Sequence, residues 1–304
     1  MRPRGFTWVR AVGLRGWAGV ATAGYTPQMA AAARKLFRHL VDRPDHEIDL
    51  ARAALALAAD EYPGLEANRY VDRLDELAHA VRESAPSREP LELLGALIDQ
   101  LSRVERFHGN RTDYSDPRNS FLSDVLDRRT GIPLSLSLVY VLVGQRAGLS
   151  MAGIAFPGHF LARCNLDEGF VVLDAFDGGR QLSIDDCQRL LRSVQQEAEF
   201  DREMLEPASH RAILFRMLAN LKSAFMRNGE GAKAVRALDT MLVLTPSHPN
   251  LLRDRGLLLY DLERFDDARR DLERYQELAP ARAAQDAAAQ TMLAVSRRRR
   301  LLLN

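Results

Sequence analysis

The chain has 304 residues, 46% apolar and 27% charged, with a net charge of +1. That is ordinary globular composition, long enough for two packed units. The balanced charge excludes a global field for nucleic acid or an anionic membrane, and two cysteines, Cys164 and Cys187, exclude a disulfide framework and fit a reducing compartment.

Residues 1–28 carry four arginines and no acid. Arg10 and Arg15 interrupt the apolar residues, so no continuous secretory core forms. The stretch reads as a disordered extension or an over-long start, with Met29 as the alternative first residue. No run approaches the roughly 18–20 apolar residues a spanning helix needs, so the expectation is a soluble, cytoplasmic protein without a membrane partner.

From Met29 to Phe107 the pattern is helical. "ANRYVDRLDELAHAVRES" places Val71, Leu74, Leu77, Ala78 and Val81 on one face, and "LELLGALIDQLSRV" continues with Leu94, Leu97, Ile98, Leu101 and Val104. Pro63, Pro86 and Pro90 mark breaks between helices. "FHGNRTDYSDPRNS", 107–120, is a polar loop, and "SFLSDVLDRR" is a short helix. In "GIPLSLSLVYVLVGQRAGL" apolar residues surround a helix on nearly all sides, which predicts burial at the centre of a domain. Pro133 suits its first turn and Gly148 its end.

"MAGIAF", "HFLARC" and "FVVLDAF" read as strands, the last two forming a hairpin. With a loop at Asn165 to Glu168, Cys164 faces Gly169, Leu161 faces Val172 and His159 faces Asp174. These last two pairs are expected on the face covered by the central helix. "SIDDCQRLLRSV" opens with a capping box, Ser183 to Asp186, and is a helix. The C-terminal third repeats: Pro246 and Pro280 are 34 residues apart, as are Ala234 and Ala268. That is the tetratricopeptide period, with small residues where paired helices touch. The expected division is 29–206 for the helical region and core, 207–281 for the repeats, and 282–304 for a terminal helix with a basic tail at 297–300.

A carboxylate beside an imidazole fixes its tautomer and raises its basicity, so His159 and Asp174 form the orienting half of a nucleophilic triad. The same pair also serves as a purely structural lock between hairpin and helix, or as a polar contact in a binding cleft. The 107–120 loop is long for a connection, and Asn110, Tyr114, Arg118 and Asn119 are the candidates to line such a cleft. The competing reading of the loop is a capping network, with Asp116 or Asn119 closing the next helix. No cofactor or metal is expected: His159 has no second ligand at metal spacing, and His108 stands alone in the loop.

"YSDPRNSFLSDVLDRRTGIPLSLSLVY", "FPGHFLARC" and "VVLDAFDGG" resemble the transglutaminase-like family of bacterial YchA and SirB proteins, also found in some eukaryotic F-box proteins. "EYPGLEANRYVDRLDELA" and the repeat segment resemble it too, so the likeness runs from about Glu61 to Pro280. The resemblance implies an α+β fold, in which a helical N-terminal region precedes a papain-like core and tetratricopeptide helices follow. Transglutaminase-type enzymes carry Cys, His and Asp at three positions. Carried over, these fall on Pro133, His159 and Asp174. Ala175 and Asp177 also stand where the family usually has Pro and Asn.

Ser135 is turned about 200° from position 133 on an α-helix, and Ser137 about 40° and one turn deeper. Cys164 alternates to the strand face opposite His159, and Cys187 lies on a separate helix. The sequence therefore leads to a pseudoenzyme that binds a protein or peptide partner and no nucleic acid. The alternative is an acyl-transfer or amide-hydrolysing enzyme using His159 and Asp174 with a non-cysteine nucleophile.

Overall fold

The structure is a computed structural model and describes residues 27–303. Most of the expected N-terminal extension lies outside the described residues, as do the side chains of the basic tail at 297–300.

Four helices form the N-terminal region: α1 (Pro27–Val41), α2 (Leu50–Ala56), α3 (Ala67–Ser84) and α4 (Pro90–Asp99). Leu74, Leu77, Ala78 and Val81 of α3 are buried on the face their spacing predicts. α4 runs into a π-helical turn, Gln100–Val104, in which the Glu105 N–H donates to the Gln100 carbonyl. A π turn takes in an extra residue, so the apolar phase slips. Leu101 stays buried, whereas Val104, expected on the same face, is 60% exposed.

Next come β1 (His108–Gly109), α5 (Leu122–Arg128), β2 (Thr130–Gly131) and α6 (Pro133–Ala147). β1 and β2 pair in parallel, with Gly109 beside Gly131. Every residue of α6 from Pro133 to Gly144 is buried. It packs against α3, α4 and α5 on one side and a sheet on the other. Gly148 ends it in the left-handed region at φ 104°. Burying one Leu or Val contributes about 1.5–3 kcal/mol, so the apolar girdle of α6 dominates the core.

The sheet is an antiparallel meander of β3 (Ser150–Ile154), β4 (Leu161–Asn165), β5 (Phe170–Asp174) and β6 (Arg180–Leu182), followed by α7 (Ile184–Val194). Ser183 and Asp186 form the capping box of α7. The hairpin register departs from the expectation by two residues: Cys164 pairs with Val171, and Arg163, not Leu161, pairs with Val172. The turn is 166–169, closed by the Leu166 N–H donating to the Gly169 carbonyl at 3.0 Å. Gly169 has φ 87°, so it belongs to the turn and not to a strand.

His159 does not begin a strand; it sits in the turn before Leu161. The sheet face that meets the core around α6 carries Ala162, Cys164 and Leu173. Leu161 and Val172 face the other way, onto Cys187 and Leu191 of α7. Alternation fixed that Leu161 and Val172 share a face, but not which helix covers it, and it does not govern His159, which lies outside the strand.

The C-terminal part contains α8 (His210–Arg227), α9 (Gly231–Leu244), α10 (Pro249–Asp261), α11 (Phe265–Leu278), α12 (Pro280–Ala283) and α13 (Ala287–Leu303). α8/α9 and α10/α11 are the two 34-residue hairpins. Ala234 and Ala268 are fully buried, Ala268 against Val235 and Leu259. Pro246 and Pro280 are exposed at the ends of the units. Ile213, Leu214, Met217 and Leu218 of α8 join the same hydrophobic core as α6. No helix among the described residues is long and apolar enough to cross a membrane.

Candidate functional site

The "TGIP" stretch builds the start of α6. A side chain at Gly131 would place its Cβ 2.6 Å from the Ser135 hydroxyl oxygen. Only glycine leaves room for Ser135 to accept from the Ile132 N–H at 3.1 Å and donate to the Asn119 carbonyl at 2.6 Å. Ser135 is thus the cap that ties the 107–120 loop to the helix. Pro133 sits buried in the first turn, where its missing N–H leaves no bond unmade. One turn on, the buried Ser137 hydroxyl donates to the Phe160 carbonyl at 3.2 Å. This bond ties α6 to the chain at Phe160, the residue after His159.

His159 Nε2 lies 3.1 Å from Asp174 Oδ1. Both side chains are largely buried, 13% and 9% exposed. The same carboxylate oxygen accepts from the Phe176 N–H at 3.0 Å. Because the carboxylate is acceptor-only when ionised, it holds a proton on Nε2 and leaves Nδ1 as the acceptor of the ring. The ring stands edge-on to Phe176, with centroids 6.3 Å apart at 90°. A Cβ at Gly109 would fall 2.5 Å from Phe176, so β1 must carry glycine for the aromatic to lie there. Through Gly109 and its partner Gly131, the His159 site connects to the strand that leads into α6.

The turn bearing His159 is fixed from α8. Arg216 donates through Nη2 to the His159 carbonyl at 2.6 Å and through Nη1 to the Phe156 carbonyl at 3.2 Å. Burial pushes its pKa below the ordinary arginine range, with nearby Tyr114 acting the other way. Burial raises the pKa of the Tyr114 phenol, opposed by the charges of Arg216 and Arg227.

Of the four loop residues singled out from sequence, Tyr114 alone meets this site, 6.5 Å from Phe176 centroid to centroid. Asn110 and Asn119 are buried and bonded to each other at 3.0 Å, and Asn119 also donates to the Asp113 carbonyl. They brace the loop internally. Arg118 is exposed and held by Asp116, whose carboxylate caps the turn Pro117–Asn119. Neither Asp116 nor Asn119 caps α5; that position is Phe121. Phe176 and Arg216 were not identified from sequence. Phe176 had a faint signal in the "DAFDGG" turn, whereas Arg216 lies 57 residues from His159 and had none.

Among the described residues, none of the candidate nucleophiles is bonded to the His159 ring. Ser135 and Ser137 are committed to backbone carbonyls. Cys164 is fully buried, and burial pushes its thiol up to about 11. The Cys187 thiol is likewise pushed up to about 11, mainly by burial and further by Asp186. Among the described residues, no group of three or more His, Cys, Asp or Glu side chains is placed to hold a metal ion.

A helix packed on an antiparallel sheet, a bonded His–Asp pair at the border of that sheet, and helical hairpins alongside fit a transglutaminase-like domain joined to tetratricopeptide repeats. Residues 68–219 match the transglutaminase-like superfamily and residues 221–295 the tetratricopeptide repeat. The chain is 38% identical over 252 residues to a UPF0162 protein of Xylella fastidiosa, covering 81% of this chain and 89% of that one. It is 28% identical over 211 residues to the UPF0162 protein YchA of Escherichia coli, covering 69% and 78%. It is also 32% identical over 201 residues to the human F-box only protein 21, covering 61% of this chain but 31% of that protein. No solved structure matches at a significant level. The chain belongs to the UPF0162 family, with YchA among its relatives.

Proposed function

We propose that the protein is a non-catalytic transglutaminase-like scaffold that binds a protein or peptide partner in the cytoplasm. The observation that carries this reading is Pro133. By the resemblance, it stands where transglutaminase-type enzymes carry their cysteine, while His159 and Asp174 are bonded to each other. Proline there supplies no thiol. It also supplies no backbone N–H, the donor that a helix start would aim at a tetrahedral oxyanion. Nucleophile and one stabilising donor are thus missing together. The repeats support the binding half of the reading, because stacked helical hairpins typically present extended surfaces to peptides. In this division, 29–206 forms the helical region and core, 207–281 the repeats, and 282–304 the terminal helix.

The rival reading is an acyl-transfer or amide-hydrolysing enzyme with another nucleophile. Serine- and thiol-directed activity probes separate the two. The expected result is no labelling that depends on His159. Labelling of the purified wild-type chain that disappears in His159→Ala would overturn the scaffold reading.

A further inference from the structure

Most basic side chains of the repeat helices end on carboxylates. Lys222 pairs with Asp254, Arg253 with Asp286 and Arg255 with Asp271. Three arginines of α8 differ: Arg211 ends on the Val41 and Arg43 carbonyls beside α1, and Arg216 and Arg227 lie further along the helix. Neither Arg216 nor Arg227 has a carboxylate within ion-pair distance among the described residues. Arg216 is half-buried and has the neutral carbonyls of Phe156 and His159, with the Phe160 ring 5.5 Å from its guanidinium, and no anion among the described residues. Arg227 is exposed and donates through Nε to the Ser115 hydroxyl at 3.1 Å. A cation partly withdrawn from water with only neutral acceptors favours an incoming anion.

Arg216 and Arg227 mark the ends of one seam. They are eleven residues apart on α8, which turns them about 20° from each other and separates them by about 16 Å along the axis. Both therefore lie on the same face. That face meets the 107–120 loop: Ser115 touches Arg227, and Tyr114, 53% exposed, packs on Phe176 beside His159. The third nearby arginine, Arg111, lies 4.9 Å from the Phe176 ring and is already paired with Asp177.

We propose that this seam is a docking site for an extended acidic peptide segment, with Arg216 and Arg227 each taking a carboxylate and the exposed Tyr114 ring contacting the chain between them. One small anion cannot bridge about 16 Å. An extended chain rising about 3.3 Å per residue covers that span in about five residues, so the ligand is a segment with acids at both ends of such a stretch. The proposal rests on the peptide-binding reading above and narrows it to a surface and a charge.

The test uses the full chain and fluorescein-labelled hexaglutamate, with hexaglutamine as the neutral control. Wild type should bind hexaglutamate, with affinity falling as salt is added, and should not bind hexaglutamine. Arg227→Gln should weaken binding by about tenfold or more, as expected for loss of a charge-assisted contact. Arg216→Gln should do the same, but it also braces the His159 turn, so the exposed Arg227 is the decisive position. Free glutamate at equal carboxylate concentration should not displace the peptide. No binding of hexaglutamate, equal binding of hexaglutamine, unchanged affinity in Arg227→Gln, or displacement by free glutamate would each overturn the proposal. These failures leave the scaffold reading standing if activity probes still find no His159-dependent labelling.

Discussion

Asp174 has more bonds to lose than His159. Its Oδ1 serves both the His159 ring and the Phe176 N–H. Replacing His159 with Ala leaves the carboxylate one remaining donor. Replacing Asp174 with Ala strands a largely buried imidazole and a backbone N–H at once. Each substitution should destabilise the fold by about 1–3 kcal/mol, with Asp174→Ala the larger. The double mutant should lose less than the sum, because the second substitution removes a group already orphaned by the first. Denaturant melts of the four proteins check this, and strictly additive losses would mean that the two side chains do not share a bond in solution. Gly109→Ala belongs at the same scale. Its new methyl meets Phe176, so it should cost about 1–3 kcal/mol through overpacking.

At the scale of elements, small residues and prolines of the repeats divide cleanly. Ala268 is fully buried between Val235 and Leu259. Ala268→Trp should overpack that contact and cost at least about 1–3 kcal/mol. Pro246→Ala, at an exposed unit end, should change stability by no more than about 0.5 kcal/mol. Thermal melts showing the reverse order would place the repeat interface elsewhere. These positions were legible because a 34-residue period needs only sequence spacing to be seen. α6 was legible for a similar reason, since a helix apolar all round has few places to go but the centre. The His159–Asp174 pair was legible through its motifs, but its framing was not. The hairpin register turned on whether Gly169 was a strand or turn residue. The covering helix turned on tertiary packing that alternation does not encode. The π turn after α4 moved Val104 out of phase without any local residue signal. Arg216 reaches the site from a different part of the chain, so no window of sequence contains it.

At the scale of the whole molecule, the repeats are part of the core and not an appended module. α8 places Ile213, Leu214, Met217 and Leu218 in the same cluster as α6, and Leu221 and Phe225 pack with Ala58 and Phe121. Ending the chain after Glu206 should therefore uncover a continuous apolar face and cause aggregation. It also removes Arg216, the brace of the His159 turn. A truncated chain that stayed monomeric and melted like the full protein would contradict this shared core.

The proposed scaffold role requires that Pro133 stand beside His159, where a transglutaminase-type enzyme would carry its thiol. The most direct measurement is the thiol pKa of Pro133→Cys, followed by ultraviolet absorbance of the thiolate against pH, in the His159 and His159→Ala backgrounds. A helix start and a neighbouring imidazolium both favour the anion. The thiol pKa should lie below the unperturbed value of about 8.5 and rise when His159 is replaced by Ala. A thiol at or above about 8.5 that is indifferent to His159 would contradict that placement.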